Sequence, residues 1–121
     1  MAAAAVFRLI DAPTYWWPVE FRTPAAERPG EFDEHTIEVK YRFLDDDEHR
    51  ALMDAVAAES LKDPAFCPRV VVGFRGIEDP HGHELLYSPD ALATILRVPG
   101  LATAIARTYF DSRAKAAEKN S

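Results

Sequence analysis

Between Thr36 and Phe43 the chain reads TIEVKYRF, with apolar Ile37, Val39, Tyr41 and Phe43 alternating with charged Glu38, Lys40 and Arg42. A period of two sends successive side chains to opposite faces, so this segment is a strand with one face on a core and one in water. Such a strand needs a partner. The stretch from Tyr15 to Arg22 offers one, with Trp17, Val19 and Phe21 on one face and Glu20 and Arg22 on the other. Pro18 has no N–H to give to a ladder, which places this strand at an edge or a bulge. Antiparallel pairing brings Glu20 and Arg22 near Lys40, Arg42 or Glu38 as opposite-charge neighbours, each pair worth roughly a few tenths of a kcal/mol. Phe7, Leu9 and Ile10 suggest a third short strand. Between the two main strands, Thr23 to Glu34 contains Pro24, Pro29 and Gly30 and has no periodicity. That pattern predicts a long mobile loop over 23–35, of the kind that in compact domains is either functional or disordered.

The remainder reads as helical. Leu44 followed by Asp45-Asp46-Asp47-Glu48 is a helix start, with a carboxylate cap, acids at the positive end of the dipole and an apolar residue just outside. His49, Leu52, Met53 and Val56 then share a face up to about Glu59. Leu61 to Pro68, with Pro64 and Pro68, reads as a connector. From Arg69 to Ile77 the β-branched run Val70-Val71-Val72 favours a strand by propensity. Ser88-Pro89-Asp90 places an N-cap residue before proline at the first helical position, and Leu92, Ile95 and Leu96 form the buried stripe that follows. After Pro99-Gly100, the predicted inner face of a last helix is Leu101, Ala104, Ile105, Thr108 and Tyr109, with Phe110 beside it. The polar stretch 113–121 is expected to fray. The fold class is therefore α+β: a small N-terminal antiparallel hairpin or sheet, then three to four packed helices, mostly α.

A chain of 121 residues makes one domain, here 1–121, with a single modest core. Twenty acidic against fourteen basic side chains give a net charge of −6, which disfavours a nucleic-acid partner because phosphates need a positive field. The lone cysteine, Cys67, has no internal disulfide partner. MAAAAV followed closely by Arg8 lacks the organisation of a signal peptide. No apolar run approaches the roughly 20 residues that span a bilayer. The expected location is the cytoplasm, with no membrane partner.

Candidate chemistry is sparse. Asp79-Pro80-His81-Gly82-His83-Glu84 contains proper metal ligands, yet the histidines straddle a Pro-x-Gly turn and no third ligand set stands elsewhere at familiar spacing. Cys67 lies between Phe66 and Pro68 in an apolar setting that suits an inert thiol better than a nucleophile paired with His49 or His81. Gly73 and Gly76 match neither phosphate-binding glycine pattern. The expectation is no enzyme, no catalytic residue, no metal and no cofactor. The aromatic residues are more informative. Trp16 and Trp17 are adjacent, so on a strand they point to opposite faces. With Trp17 inward, Trp16 is a candidate partner-binding residue unless the N-terminal arm or the long loop covers it. Phe74 is either a core residue or part of a partner groove.

The order of motifs from Val70 to Asn120 carries a resemblance. VVVGFRGI leads into Asp-Pro-His-Gly, then Ser88-Pro89-Asp90 opens a helix, Pro99-Gly100 separates it from another, and that helix finishes in Lys119-Asn120. This order is similar to that of the small tail assembly chaperones of long-tailed bacteriophages and prophages. The N-terminal aromatic-Pro-Val strand, the Arg42-Phe43-Leu44 strand end and the acidic cap also resemble that family. Phe74 stands where tryptophan is usual, and His81-Gly82-His83 enlarges the turn. The Trp16-Trp17 pair and the proline-rich loop are not family features. The resemblance implies a short helix rather than a strand over 69–77. It implies a non-catalytic factor that binds the tape measure protein in the bacterial host cytoplasm, keeps it soluble while tail tube subunits assemble, and is absent from the mature virion. It also implies contact with the tail tube protein through a frameshifted longer product, and it leaves homo-oligomerisation open. The other classes are a structural tail or head–tail completion protein and, last, a metal-dependent enzyme at the His81/His83 turn.

Overall fold

The computed structural model describes residues 6, 7, 9, 13–59 and 62–119. The two predicted strands form and pair antiparallel, as β1 (Thr14–Pro24) and β2 (Phe32–Arg42). Both run further toward the turn than their alternation showed, so the loop expected over 23–35 shrinks to residues 25–31. Backbone bonds close it, Ala25 N–H to the Glu31 carbonyl at 2.9 Å and Glu31 N–H to Arg28 at 3.0 Å. Arg28 adds ion pairs to Glu31, at 3.0 Å, and to Asp33. The register also corrects the expected charge pairing: Glu20 faces Thr36, and Arg22 faces Glu34 in an ion pair of 3.1 Å. Pro18 sits on the edge strand, opposite Glu38, where a residue without an N–H is tolerated.

Two helices follow before the sheet is completed. Helix α1 (Asp46–Glu59) starts with a reciprocal cap, in which the Asp45 carboxylate accepts from Glu48 N–H at 2.8 Å and Glu48 accepts from Asp45 N–H at 3.3 Å. The segment expected to be a connector forms helix α2 (Asp63–Val70), while Leu61 lies outside the described residues. Pro64 occupies the first turn, where an N–H is not needed, and Pro68 forfeits one bond in the last turn. Burial of Phe66, Cys67 and Val70 offsets that loss.

The chain then changes conformation between two valines. Val70 ends α2, and Val71 begins β3 (Val71–Arg75), which pairs antiparallel with β2. The short helix that the family resemblance implies over 69–77 is thus absent from 71–75; the propensity of the valine run decides there, with a free edge of β2 to receive it. A bulge opposite Lys40 and Tyr41 turns Val72 outward, where it is 36% exposed. The sheet order is β1-β2-β3. Phe7 and Leu9 belong to no strand and are exposed, and Ile10 lies outside the described residues.

Helix α3 (Pro89–Ile95) has Ser88 as its cap, its side chain accepting from Ala91 N–H at 3.0 Å. Helix α4 (Leu101–Lys119) continues as helix over residues 113–119 of the stretch expected to fray, while residues 120 and 121 lie outside the described residues. Its inner face is Leu101, Ala102, Ile105, Ala106, Tyr109 and Ser112, so Ala104 and Thr108 lie at its margin rather than its centre. The small residues Ala102 and Ala106 sit inside because α2 packs there, with the Cys67 thiol donating to the Ala102 carbonyl at 3.4 Å. The result is a mixed α+β fold with one core between the inner sheet face (Val19, Ile37, Val39, Tyr41, Val71, Phe74) and the helices.

Candidate partner-binding site

The outer face of the sheet carries Thr36, Glu38, Lys40 and Arg42 beside Trp16, and it is at least partly exposed throughout β1 and β2. Trp16 pairs across the ladder with Lys40, which pairs with Gly73. Its indole lies along this face and ends 3.7 Å from where a side chain on Gly73 would begin. The same position on Gly73 would come within 3.1 Å of the Lys40 Cβ, so a side chain there is crowded by Lys40, and any branch beyond Cβ meets the ring. The Arg75 guanidinium stands 4.0 Å from the indole centroid and the Lys40 ammonium 5.8 Å. Arg75 is itself held by Glu38 through two bonds of 3.0 and 3.2 Å. That pairing lowers the Glu38 pKa and raises that of Arg75, the shared hydrogen bonds being the main cause in both. Trp16 remains 36% exposed. The long loop does not cover it, and most of the N-terminal arm lies outside the described residues. The turn 25–31 is at the far end of the hairpin, and Val6, Phe7 and Leu9 are themselves exposed.

Phe74, the other candidate, is a core residue. It is 5% exposed and meets Tyr87 edge-on at 5.5 Å, so it has no surface to offer a partner. Two residues expected inside are outside. Phe43 lies past the end of β2, half exposed against Tyr15, and Phe110 stacks on Phe66 at 5.4 Å with 40% of its surface in solvent.

Beside Trp16 a cleft of about 210 Å³ opens between the hairpin and α4, walled by Tyr15, Trp17, Phe43, Arg113 and Ala116. Its floor is a polar chain that sequence reasoning missed. Tyr15 O–H meets the Ser112 hydroxyl at 2.7 Å, and Ser112 donates to the Tyr109 carbonyl at 2.8 Å. The Tyr109 hydroxyl meets His49 Nδ1 at 3.0 Å, and Arg113 donates to the Leu44 carbonyl at 2.8 Å. The available signal was spacing: Ser112 and Arg113 follow Tyr109 by three and four residues on one helix face. Burial raises the Tyr15 and Tyr109 pKa values, and burial followed by the nearby Arg113 charge lowers that of His49.

These polar groups are occupied with one another. Among the described residues no buried side-chain nitrogen or oxygen lacks a hydrogen bond, so the cleft floor works as a strut between β1 and α4. Cys67 is fully buried, and burial pushes its pKa up to about 12, which makes it an inert thiol. His81 and His83 stand exposed on a small turn. The Asp79 carboxylate accepts both of their backbone N–H groups, at 2.8 and 3.0 Å, and Gly82 takes φ +80 between them. Among the described residues, no three His, Cys, Asp or Glu side chains converge as metal ligands, and no helix is long and apolar enough to cross a membrane. Comparison with protein-family models, curated proteins and solved structures finds no match to this chain.

Proposed function

We propose that this protein is a non-catalytic tail assembly chaperone that binds a tape measure protein and keeps it soluble until tail tube subunits polymerise around it. The observation that carries the reading is the order of motifs from Val70 to Lys119-Asn120. The physical logic is coverage. A long helix with an exposed apolar seam aggregates unless the seam is masked, and many small domains binding weakly can mask it and still be displaced. An open sheet face with the Trp16 ring lying across it from the edge strand, next to an aromatic-walled cleft, supports this reading. The longer frameshifted product that would recruit tube protein, the host cytoplasm as location and absence from the virion all belong to the same proposal.

Co-expression with the tape measure protein tests it. The parent chain should keep that protein soluble, and Trp16→Ala should weaken the effect with little loss of thermal stability. Equal insolubility with and without the parent chain sinks the reading. If the Trp16 variant protects as well as the parent, the function stands and this surface does not. Finding the protein in purified particles would favour a structural tail or head–tail completion role instead.

A further inference from the structure

A second surface joins an apolar floor to uncompensated charge. Between α1, the end of β2 and α2 runs a groove of about 340 Å³, floored by Leu44, Ala51, Leu52 and Ala55 and flanked by Arg42 and Arg69. Leu44 and Leu52 are buried at its base, 7% and 8% exposed. Ala51 and Ala55 are four apart on α1, so their small side chains leave a trough along the helix that the ridge of another helix can enter.

The rim of this groove carries arginines. Arg22, Arg28, Arg50, Arg75 and Arg113 each have a carboxylate partner. Arg42 and Arg69 have none within ion-pair distance among the described residues; the same holds for Arg97 and Arg107, but only Arg42 and Arg69 line the groove. Arg42 makes only a long bond, 3.5 Å, to the Arg69 carbonyl. Glu48 also lines the groove, and one of its carboxylate oxygens accepts from Asp45 N–H in the cap of α1 at 3.3 Å. In a chain of net charge −6, two unpaired guanidiniums beside one apolar trough make a local positive rim. Arginine is also the cation suited to two-pronged bonds with carboxylates.

We propose that this groove receives a helix from another protein, apolar on one face and acidic along the flanks of that face. The inference rests on the chaperone reading and gives its partner a chemistry: the masked seam is edged by glutamate or aspartate. Apolar contact supplies the attraction, and the arginine rim sets which helices are accepted and how quickly they are found.

Two synthetic amphipathic peptides test this, both with leucine on one face, one with glutamate elsewhere and one with lysine. Each is titrated into the full chain by fluorescence anisotropy, and the contact surface is mapped by amide shifts. The glutamate peptide should bind roughly tenfold more tightly, as expected when two exposed ion pairs are replaced by repulsions. Its shifts should cluster at Leu44, Ala51, Ala55 and Arg69, and added salt should weaken it. Arg42→Glu/Arg69→Glu should reverse the preference while the circular dichroism and melting temperature stay those of the parent. Ala55→Glu should exclude the glutamate peptide independently. Binding of neither peptide, equal binding of both, or shifts centred elsewhere overturns the proposal. So does a change of oligomeric mass in the double variant without peptide, which would make a second copy the occupant. Co-expression separates the two readings. If parent and double variant protect the tape measure protein equally, the chaperone reading stands and the groove falls. If the parent fails to protect, the chaperone reading falls and the peptides still judge the groove.

Discussion

Ile105 has no exposed surface, and its backbone carbonyl accepts the Tyr41 hydroxyl at 2.8 Å, so side chain and backbone both tie α4 to the sheet. Ile105→Asp places an unpaired carboxylate there and should cost about 3 kcal/mol or more, seen as loss of the folded baseline in a denaturant titration. A parent-like midpoint would refute the inward assignment. Gly73 is constrained from the opposite face. Gly73→Val should lift the Trp16 ring off the sheet at a cost of about 1–3 kcal/mol. In a Trp17→Phe background the Trp16 emission should shift to the red; unchanged emission would mean the ring does not lie over this residue. His49 sets a pH dependence. Burial, then repulsion from Arg113, hold its folded pKa below the ordinary value of 6.5, with Asp46 opposing. The unfolded chain therefore binds more protons at this side chain. Its contribution to stability is present above the unfolded value and is lost as pH falls through the folded one. Between about pH 7.5 and about pH 5 the parent should lose stability more steeply than His49→Gln, and parallel profiles would count against the assignment.

At the scale of elements, each end is set by a small number of bonds. Ser88 caps α3 with a single bond to Ala91, on a helix of only seven residues, so the cap is a large share of what starts it. Ser88→Ala should lower stability by about 1 kcal/mol, measured as a shift in denaturant midpoint without a change in slope. No shift would show that packing of Leu92 and Ile95 alone holds the helix. The step from α2 to β3 is less local. Val70, Val71 and Val72 share one intrinsic preference, yet the first is helical and buried, the second extended and buried, and the third exposed at a bulge. The hydrogen-bonding edge of β2 captures Val71 onward, while Phe66, Cys67 and Val70 must reach α4 as a helical face.

For the whole molecule, one core joins the sheet to α2, α3 and α4, and α1 adds Leu52 to it with Met53 and Val56 packed alongside. Its cap, the His49–Tyr109 contact and Leu52 fasten the first turns, whereas Ala57 and Ala58 are exposed. Stability should therefore be uneven. In native-state hydrogen exchange the amides of residues 55–58 should exchange much faster than those of residues 105–109. Uniform protection across both would mean that α1 is part of the same cooperative unit. An element that loosens at one end also borders the groove proposed for a helical partner, so its opening would widen that groove.

Features that depend on neighbours in the chain could be read from residue types alone. The period-two alternation of Ile37, Val39 and Tyr41 set a strand and its inner face, Pro18 set an edge, and Asp45-Glu48 and Ser88-Pro89 set two helix starts. Backbone dihedrals and caps are local, so residue types suffice there. Tertiary structure alone decided where β1 and β2 end, because cross-strand bonds extend them through Pro24 and Phe32 despite the prolines. It also folded Pro64 to Val70 as helix against α4, turned Phe43 and Phe110 outward and Phe74 inward, and laid Trp16 across Gly73. Each of those outcomes depends on a residue distant in sequence. The candidate site was legible only as one outward tryptophan; the arginines and helix face of the proposed groove meet through the fold, where no spacing rule reaches.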